Sequence, residues 1–241
     1  MKTTINKLAI ILFVATVFTS CGIDMFNRID GNRNVISEKR NIDNDFTRVK
    51  VSSGIDLYIK QGSKASLTVE ADENLHDYII TEVDNGMLKI YVEGNIWRAK
   101  ARKVYLTVTT LEELRATSGS DVVSENVLKA KDLEVSTSSG ADMRIEVDAI
   151  NVTSSSSSGS DLRITGKSES HSSNASSGSS VKAYGLESRD VTARVSSGAD
   201  ISVFASKSIN ARASSGGDIR YKGSPEKVTR KTSSGGGVSS R

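Results

Sequence analysis

Apolar residues are arranged in two ways along the chain. Between Phe46 and Thr109 they form short alternating runs, Phe46–Ser52, Ile55–Gln61, Ser66–Ala71, Ile79–Asp84, Met87–Val92 and Val104–Thr109. Each run is rich in β-branched or aromatic residues and alternates in part, which predicts strands. Asn85-Gly86 separates two of them and predicts a tight hairpin turn. Leu111-Glu112-Glu113-Leu114 is expected to make one helical turn.

Beyond Leu114 the alternation gives way to a repeat. A serine-preceded glycine recurs at Gly119, Gly140, Gly159, Gly178, Gly198, Gly216 and Gly235, at spacings of 21, 19, 19, 20, 18 and 19. Three residues after each glycine stand Val122, Met143, Leu162, Val181, Ile201, Ile219 and Val238, all apolar. Five residues after stand Ser124, Ile145, Ile164, Ala183, Val203 and Tyr221. Seven residues before, from Gly140 onward, stand Leu133, Val152, His171, Val191, Ile209 and Val228. Low complexity alone would not hold apolar residues in register over so many copies.

A unit of about 19 residues cannot bury its own apolar face, but stacked copies share one continuous core. Strands of successive coils then run parallel, about 4.8 Å apart, with equivalent positions superposed. The recurring glycine predicts a corner with positive φ or a close backbone approach. Ala, Ser and Thr five and three residues before it predict a narrow interior, where stacked hydroxyls must satisfy one another. Gly54 fits the same columns through Asp56, Leu57 and Ile59, so Phe46 to Gln61 is an early coil. The next repeat glycine comes 65 residues later, leaving about 45 residues for hairpins that cap the N-terminal end. The predicted fold is all-β: a right-handed parallel β-helix, or β-solenoid, with about 19-residue coils and an inserted β-hairpin cap. It occupies residues 46–241, with the insertion at 62–103 and regular coils at 115–241.

The N-terminus is of another kind. Lys2 and Lys7 precede an apolar run from Leu8 to Phe18, followed by Thr19-Ser20-Cys21-Gly22. Such a run is too short to span a bilayer and matches an export signal over residues 1–20. Small residues ending at a cysteine are what lipoprotein signal peptidase cuts before, so Cys21 is the expected lipid-attachment residue. It is the only cysteine of the chain, which excludes an internal disulfide and cysteine metal clusters. Residues 21–45, polar and aperiodic, are expected to form a tether reaching roughly 80 Å when extended. No dense acidic run follows Cys21, which favours the periplasmic face of the outer membrane over the cell surface. Charges nearly balance, 32 Lys+Arg against 29 Asp+Glu over 241 residues. With no basic run, nucleic acid is not an expected partner.

The run Phe46-x-x-Val49-x-Val51-Ser52-Ser53-Gly54-Ile55-Asp56-Leu57-Tyr58-Ile59-x-Gln61-Gly62 resembles the "putative auto-transporter adhesin, head GIN domain" family. The likeness continues through Val69-Glu70-Ala71-Asp72-Glu73-Asn74-Leu75, Gly86-Met87-Leu88 and Leu111 to Asp121, and extends over about residues 42 to 241. Asp56 stands where the name-giving Gly-Ile-Asn has its asparagine. The resemblance implies a Bacteroidetes-type lipoprotein with a right-handed β-helix-like fold and, in the family's label, adhesion.

Candidate chemistry sits on the repeat and in the insertion. Two residues after each glycine stand Asp121, Asp142, Asp161, Ser180, Asp200 and Asp218, which suggest Asx-type turn capping or, less economically, a calcium ladder. Two further on, and on the same outer face, stand Val123, Arg144, Arg163, Lys182, Ser202 and Arg220. Arg144, Arg163, Lys182 and Arg220 either neutralise the aspartates or bind an anion. In the insertion, Tyr91, Trp97, Arg98 and Tyr105 either stack on sugars or form a small core of the cap. A Ser-His-Asp triad would need His76 or His171. His171 falls in an inward column and is expected to be buried, bonded among Ser170, Ser172 and their neighbours. There is no phosphate loop, zinc spacing or Gly-x-Ser-x-Gly elbow, and no cofactor is expected.

Together these point to a non-catalytic, lipid-anchored envelope protein acting in adhesion or in binding a protein or glycan. A polysaccharide lyase or hydrolase on the same scaffold is a second reading. A third is an assembly protein that self-associates through an open C-terminal edge, since no apolar cap is visible after Val238.

Overall fold

The computed structural model describes residues 28–43 and 45–241. Cys21, the export signal and the first part of the tether lie outside the described residues. The chain is a parallel β-solenoid of about 7 turns, with bridged residues about 19 apart.

Each regular coil turns on the Ser-Gly pair. Ser139, Ser158, Ser177 and Ser197 have φ of 54 to 56°, and Gly140, Gly159, Gly178 and Gly198 follow at 66 to 69°. Two successive left-handed residues reverse the chain tightly. A Cβ on any of these glycines would meet nothing within 4 Å, so backbone conformation and not space selects them. The turns stack through a hydrogen-bond ladder: Gly140 N donates to Ser158 O at 3.2 Å, Gly159 N to Ser177 O at 3.1 Å and Gly178 N to Ser197 O at 3.1 Å. In the coils of Gly159 and Gly178, turn capping falls to the residue after the glycine, not to the aspartate. Ser160 Oγ accepts from Ser157 N at 3.2 Å and donates to Ser157 O at 2.7 Å, and Ser179 Oγ treats Ser176 in the same way. The aspartates of the next position make no such bond.

Between turns the chain runs as long strands, Asp142–Ser156, Asp161–Ala175, Ser180–Val195 and Asp200–Ala213, paired in parallel. Strict alternation of buried and exposed residues breaks at Ile150-Asn151 and Glu169-Ser170, where two exposed residues follow one another. These breaks mark a second corner. The apolar columns superpose as their spacing demands: Val122, Met143, Leu162, Val181, Ile201 and Ile219 are at most 1% exposed. Burying such a side chain contributes roughly 1.5–3 kcal/mol, repeated in every coil. The hydroxyl columns are satisfied internally, Thr137 Oγ1 donating to Ser156 and Ser154 Oγ to Ser173, both at 3.0 Å.

The N-terminal region follows the same logic in a different chain order. Strand Arg48–Val51 pairs in parallel with Glu113–Ala116 on one side and with Met87–Val92 on the other. Strand Asp56–Gln61 likewise lies between Asp121–Ser124 and Arg102–Val108. The early coil therefore stacks directly on the regular ones, and part of the insertion adds one more parallel layer beneath it. Antiparallel strands close that end. Ser66–Asp72 pairs with Arg102–Val108 and Val35–Arg40, and Ile79–Asp84 with Met87–Val92 across Asn85-Gly86.

Two local expectations are corrected. Leu111–Leu114 is not a helical turn: Glu113–Ala116 is a strand, and the helix of the described region is the 3-10 turn Glu73–Tyr78. Leu114 and Ala116 point inward beside Val49 and Val51, and that packing overrides the helical spacing of the leucines. Nor are residues 28–43 simply a tether. Arg28–Asp30 pairs with Asn95–Arg98, and Val35–Arg40 completes the cap sheet. Buried Asp72 locks this arrangement, its carboxylate accepting from Arg33 N at 3.0 Å, Lys100 N at 3.0 Å and Ala101 N at 3.1 Å.

Candidate functional site

The Asp and Arg columns share one outward face, as strand alternation requires. Asp56, Asp121, Asp142 and Asp161 are consecutive neighbours across the coils. Partial burial, then Asp142 and Asp56, push the Asp121 carboxyl up, while Arg144 draws it down. Asp161 is held below the usual carboxylate range, first by the Ser180 hydroxyl and then by Lys182, against the opposing effect of burial. Lys182 Nζ lies 3.2 Å from Asp161, and Arg220 bridges Asp200 at 3.0 Å and Asp218 at 3.5 Å. Arg144 and Arg163 stand in the same row. Lys182 and Arg220 are thus neutralised on this face and Ser180 fills the gap in the aspartate column as a hydrogen-bond donor, while Arg144 and Arg163 lie near aspartates without an ion pair among the described residues.

The four insertion residues are not brought together. Tyr105 stacks on Tyr58 with centroids 5.1 Å apart. Tyr91 lies on another strand and donates to Glu82 Oε1 at 3.2 Å. Trp97 is 53% exposed beneath the Arg28 guanidinium, which sits 4.0 Å above its ring. Arg98 offers its carbonyl to Gly31 N at 2.8 Å. They form neither a shared sugar platform nor the core of the cap, which consists of Leu67, Val69, Ile79, Leu88, Val104 and Leu106.

Neither histidine is placed for surface chemistry. His171 is 1% exposed, with Nε2 2.9 Å from Ser154 Oγ, one coil away and not beside it in sequence. Ser154 donates onward to Ser173, so Nε2 carries the proton and Nδ1 is left without a partner. Burial pushes this imidazole down to about 4. The Ser154–His171 pair thus lacks an orienting acid on Nδ1 and is closed to solvent. His76 is buried 3.3 Å from Ile36 O. Among the described residues no group of three or more His, Cys, Asp and Glu could hold a metal ion.

A different set of residues stands out on the face that precedes the turns. Arg194, Arg212 and Lys231 occupy equivalent positions four residues before Gly198, Gly216 and Gly235, and pair directly across strands. All three are exposed, and no ion pair or side-chain hydrogen bond engages them among the described residues. Earlier coils carry Asn174 and Ser155 in this column, again directly paired. The row lies in a groove of about 710 Å³ whose rim includes Ser157, Ser176, Ser196 and Ser214. Asp190, four residues before Arg194, is 3.7 Å from Arg189 and also accepts from Ser208. A second groove, of about 1020 Å³, is larger, but its Lys129, Lys131 and Lys167 are interspersed with Asp148, Glu169 and Glu187. The repeat register that aligns the aspartates also aligns the Arg194 row, so the signal for it was present in the sequence.

A stacked-coil scaffold carrying ordered columns of charge on flat sheet faces is the class this architecture defines. The chain belongs to the family described as "putative auto-transporter adhesin, head GIN domain", whose profile matches residues 45–225. Its fold is similar to the crystal structure of a putative adhesin from Bacteroides fragilis, with a TM-score of 0.83 at 20% identity over 88% of this chain and 100% of that one. A putative lipid binding protein from Parabacteroides distasonis is similar over 89% and 99% of the two chains, with a TM-score of 0.74 and 23% identity. A putative adhesin from Parabacteroides merdae is similar over the same shares, with a TM-score of 0.67 and 20% identity. No curated protein matches the chain.

Proposed function

We propose that the chain is a non-catalytic, adhesin-like protein of the cell envelope that binds its partner on the outer face of the solenoid. The observation that carries this reading is the contrast between a face that sets aspartates beside its cations and a groove whose three cations have no acid. Inward positions are filled by apolar side chains and satisfied hydroxyls, which leaves the outward columns free to vary without disturbing the fold. The histidines, both buried, support a scaffold over a lyase or hydrolase. That putative adhesins share this fold agrees with the reading.

In the same proposal, acylated Cys21 holds the protein to the outer membrane, on the periplasmic side. No helix of the described residues is long and apolar enough to cross a membrane. Cell fractionation and a glycan array test the proposal together. Cys21→Ala is expected to move the protein from the membrane to the soluble fraction, and unchanged membrane association would refute the anchor. Protease added to intact cells is expected to leave the protein whole; digestion would overturn the periplasmic placement. Absence of binding by the purified protein to any arrayed glycan would count against the adhesin-like role.

A further inference from the structure

We infer that the groove over Arg194, Arg212 and Lys231 is a binding site for a linear acidic polysaccharide, one bearing carboxylates or sulfates along its length. This rests on the reading of the protein as a binding scaffold and names the ligand class of that groove. Three cations are held in register on neighbouring strands about 4.8 Å apart. Like charges in directly paired positions repel, and no acid of the described residues relieves them. On the opposite charged face the same scaffold alternates Asp with Arg or Lys and closes ion pairs of 3.0 and 3.2 Å. The fold therefore permits neutralisation and omits it here. An external anion supplies what the column lacks.

The shape of the site selects among anions. The cations form a line along the solenoid axis, not a ring, so the complementary ligand is extended and repeats its charge. Serine hydroxyls recur beside the line at the period of the coils and can donate to or accept from sugar hydroxyls. The apolar side chains lining the groove are Ala175, Val195 and Ala213, each at most 4% exposed. No aromatic or leucine side chain lines it for insertion among acyl chains. A polymer matches this better than an anionic bilayer. Arg guanidinium groups also suit bidentate pairing with planar carboxylates and with sulfate.

The test uses the purified full chain with heparin, polygalacturonate, a neutral glucan and phosphatidylglycerol vesicles as probes. The wild-type chain is expected to bind at least one of the two polyanions, weakening with added salt. Replacing all three cations, Arg194→Gln, Arg212→Gln and Lys231→Gln, is expected to weaken binding by about tenfold per charge removed. Asn174→Glu keeps every cation but places an acid directly beside Arg194, and it too is expected to weaken binding. Arg144→Gln with Arg163→Gln, on the compensated face, is expected to leave binding unchanged. Circular dichroism confirms that each variant is folded. Equal polyanion binding by the triple variant overturns the site, as does binding to vesicles alone. Binding to the neutral glucan alone leaves the scaffold reading standing and sinks this one; binding to no glycan sinks both.

Discussion

The regular coils and the N-terminal cap bury apolar residues equally well but are held together differently. In the coils, each element largely repeats its neighbour's contacts: the apolar columns and the Ser-Gly ladder recur at each turn, with hydroxyl pairs in the coils that carry serine or threonine. Loss of one contact leaves equivalent ones above and below, as expected for a quasi-one-dimensional array. The cap has no such redundancy. Val35–Arg40 and Ser66–Asp72 meet across a long sequence separation, and single polar groups fix the geometry. Asp72 is one; Arg40, whose guanidinium donates to His76 O at 2.6 Å and also to Ile79 O, is another. Repetition spreads stability in one region, while the other concentrates it in a few residues.

The largest effect expected from this contrast is at Asp72. Asp72→Ala leaves three backbone N–H groups without their acceptor, at a cost of about 3 to 5 kcal/mol. Hydrogen exchange should show Ser66–Asp72 and Arg102–Val108 losing protection while Asp161–Ala175 and Ser180–Val195 keep theirs. Equal loss in both regions would show that the cap and coils unfold as one unit and would end the contrast.

A second, smaller effect belongs to the coils. The His171 imidazole stays neutral in the fold down to about 4, against 6.5 when unfolded. Above pH 6.5 neither state takes up this proton, so the histidine costs nothing. As pH falls from 6.5 toward 4 the unfolded state binds a proton that the folded state refuses, and stability drops by about 3 kcal/mol. Denaturant titrations of wild type and His171→Val across that range should diverge, with the variant the flatter of the two. Parallel curves would mean that water or a rearrangement reaches the ring. Val is the natural choice because Val152 and Val191 flank His171 in its column.

What could be read from the sequence follows the same division. The coils were legible because each of their columns is sampled many times, so Val181 or Ile201 is predicted by its copies as much as by its own neighbours. The cap is sampled once. Its strands over Ile79–Asp84 and Met87–Val92 were legible locally, through alternation and Asn85-Gly86. That Val35–Arg40 belongs to its sheet was not, because Ser37, Glu38 and Lys39 are polar and their partners lie some 30 residues on. The turn serines are legible only as neighbours of glycine; nothing in their residue type signals a positive φ. The aspartates lie on the expected outer face, where Asp161, Asp200 and Asp218 meet cations expected to neutralise them and not the backbone N–H of an Asx turn.

Turn strain gives the third test. Gly178→Ala enters open space but must hold φ near 68°, at a cost of about 1 kcal/mol. Because Gly159 and Gly198 brace the neighbouring turns, the loss should remain near that figure and not propagate. A shift in the denaturation midpoint several times larger would mean that the turn ladder is cooperative.

The smallest effect concerns the far end of the stack. Strand Lys227–Thr232 pairs with Asp200–Ala213 on one side only among the described residues, and Val228 is 41% exposed. An unpaired edge invites a second chain, but Lys227, Arg230 and Lys231 oppose a second copy by charge. Self-association through this edge is therefore expected to be weak and to increase with salt, as screening removes the repulsion. Sedimentation at high protein concentration should show a shift toward dimer between low and high ionic strength, and Val228→Lys should suppress it. Polyanion binding in the adjoining groove has the opposite sign, weakening with salt, so the two uses of Lys231 are separable in one titration. A protein that stays monomeric at every ionic strength would leave the edge without a partner and the cation row with a single role.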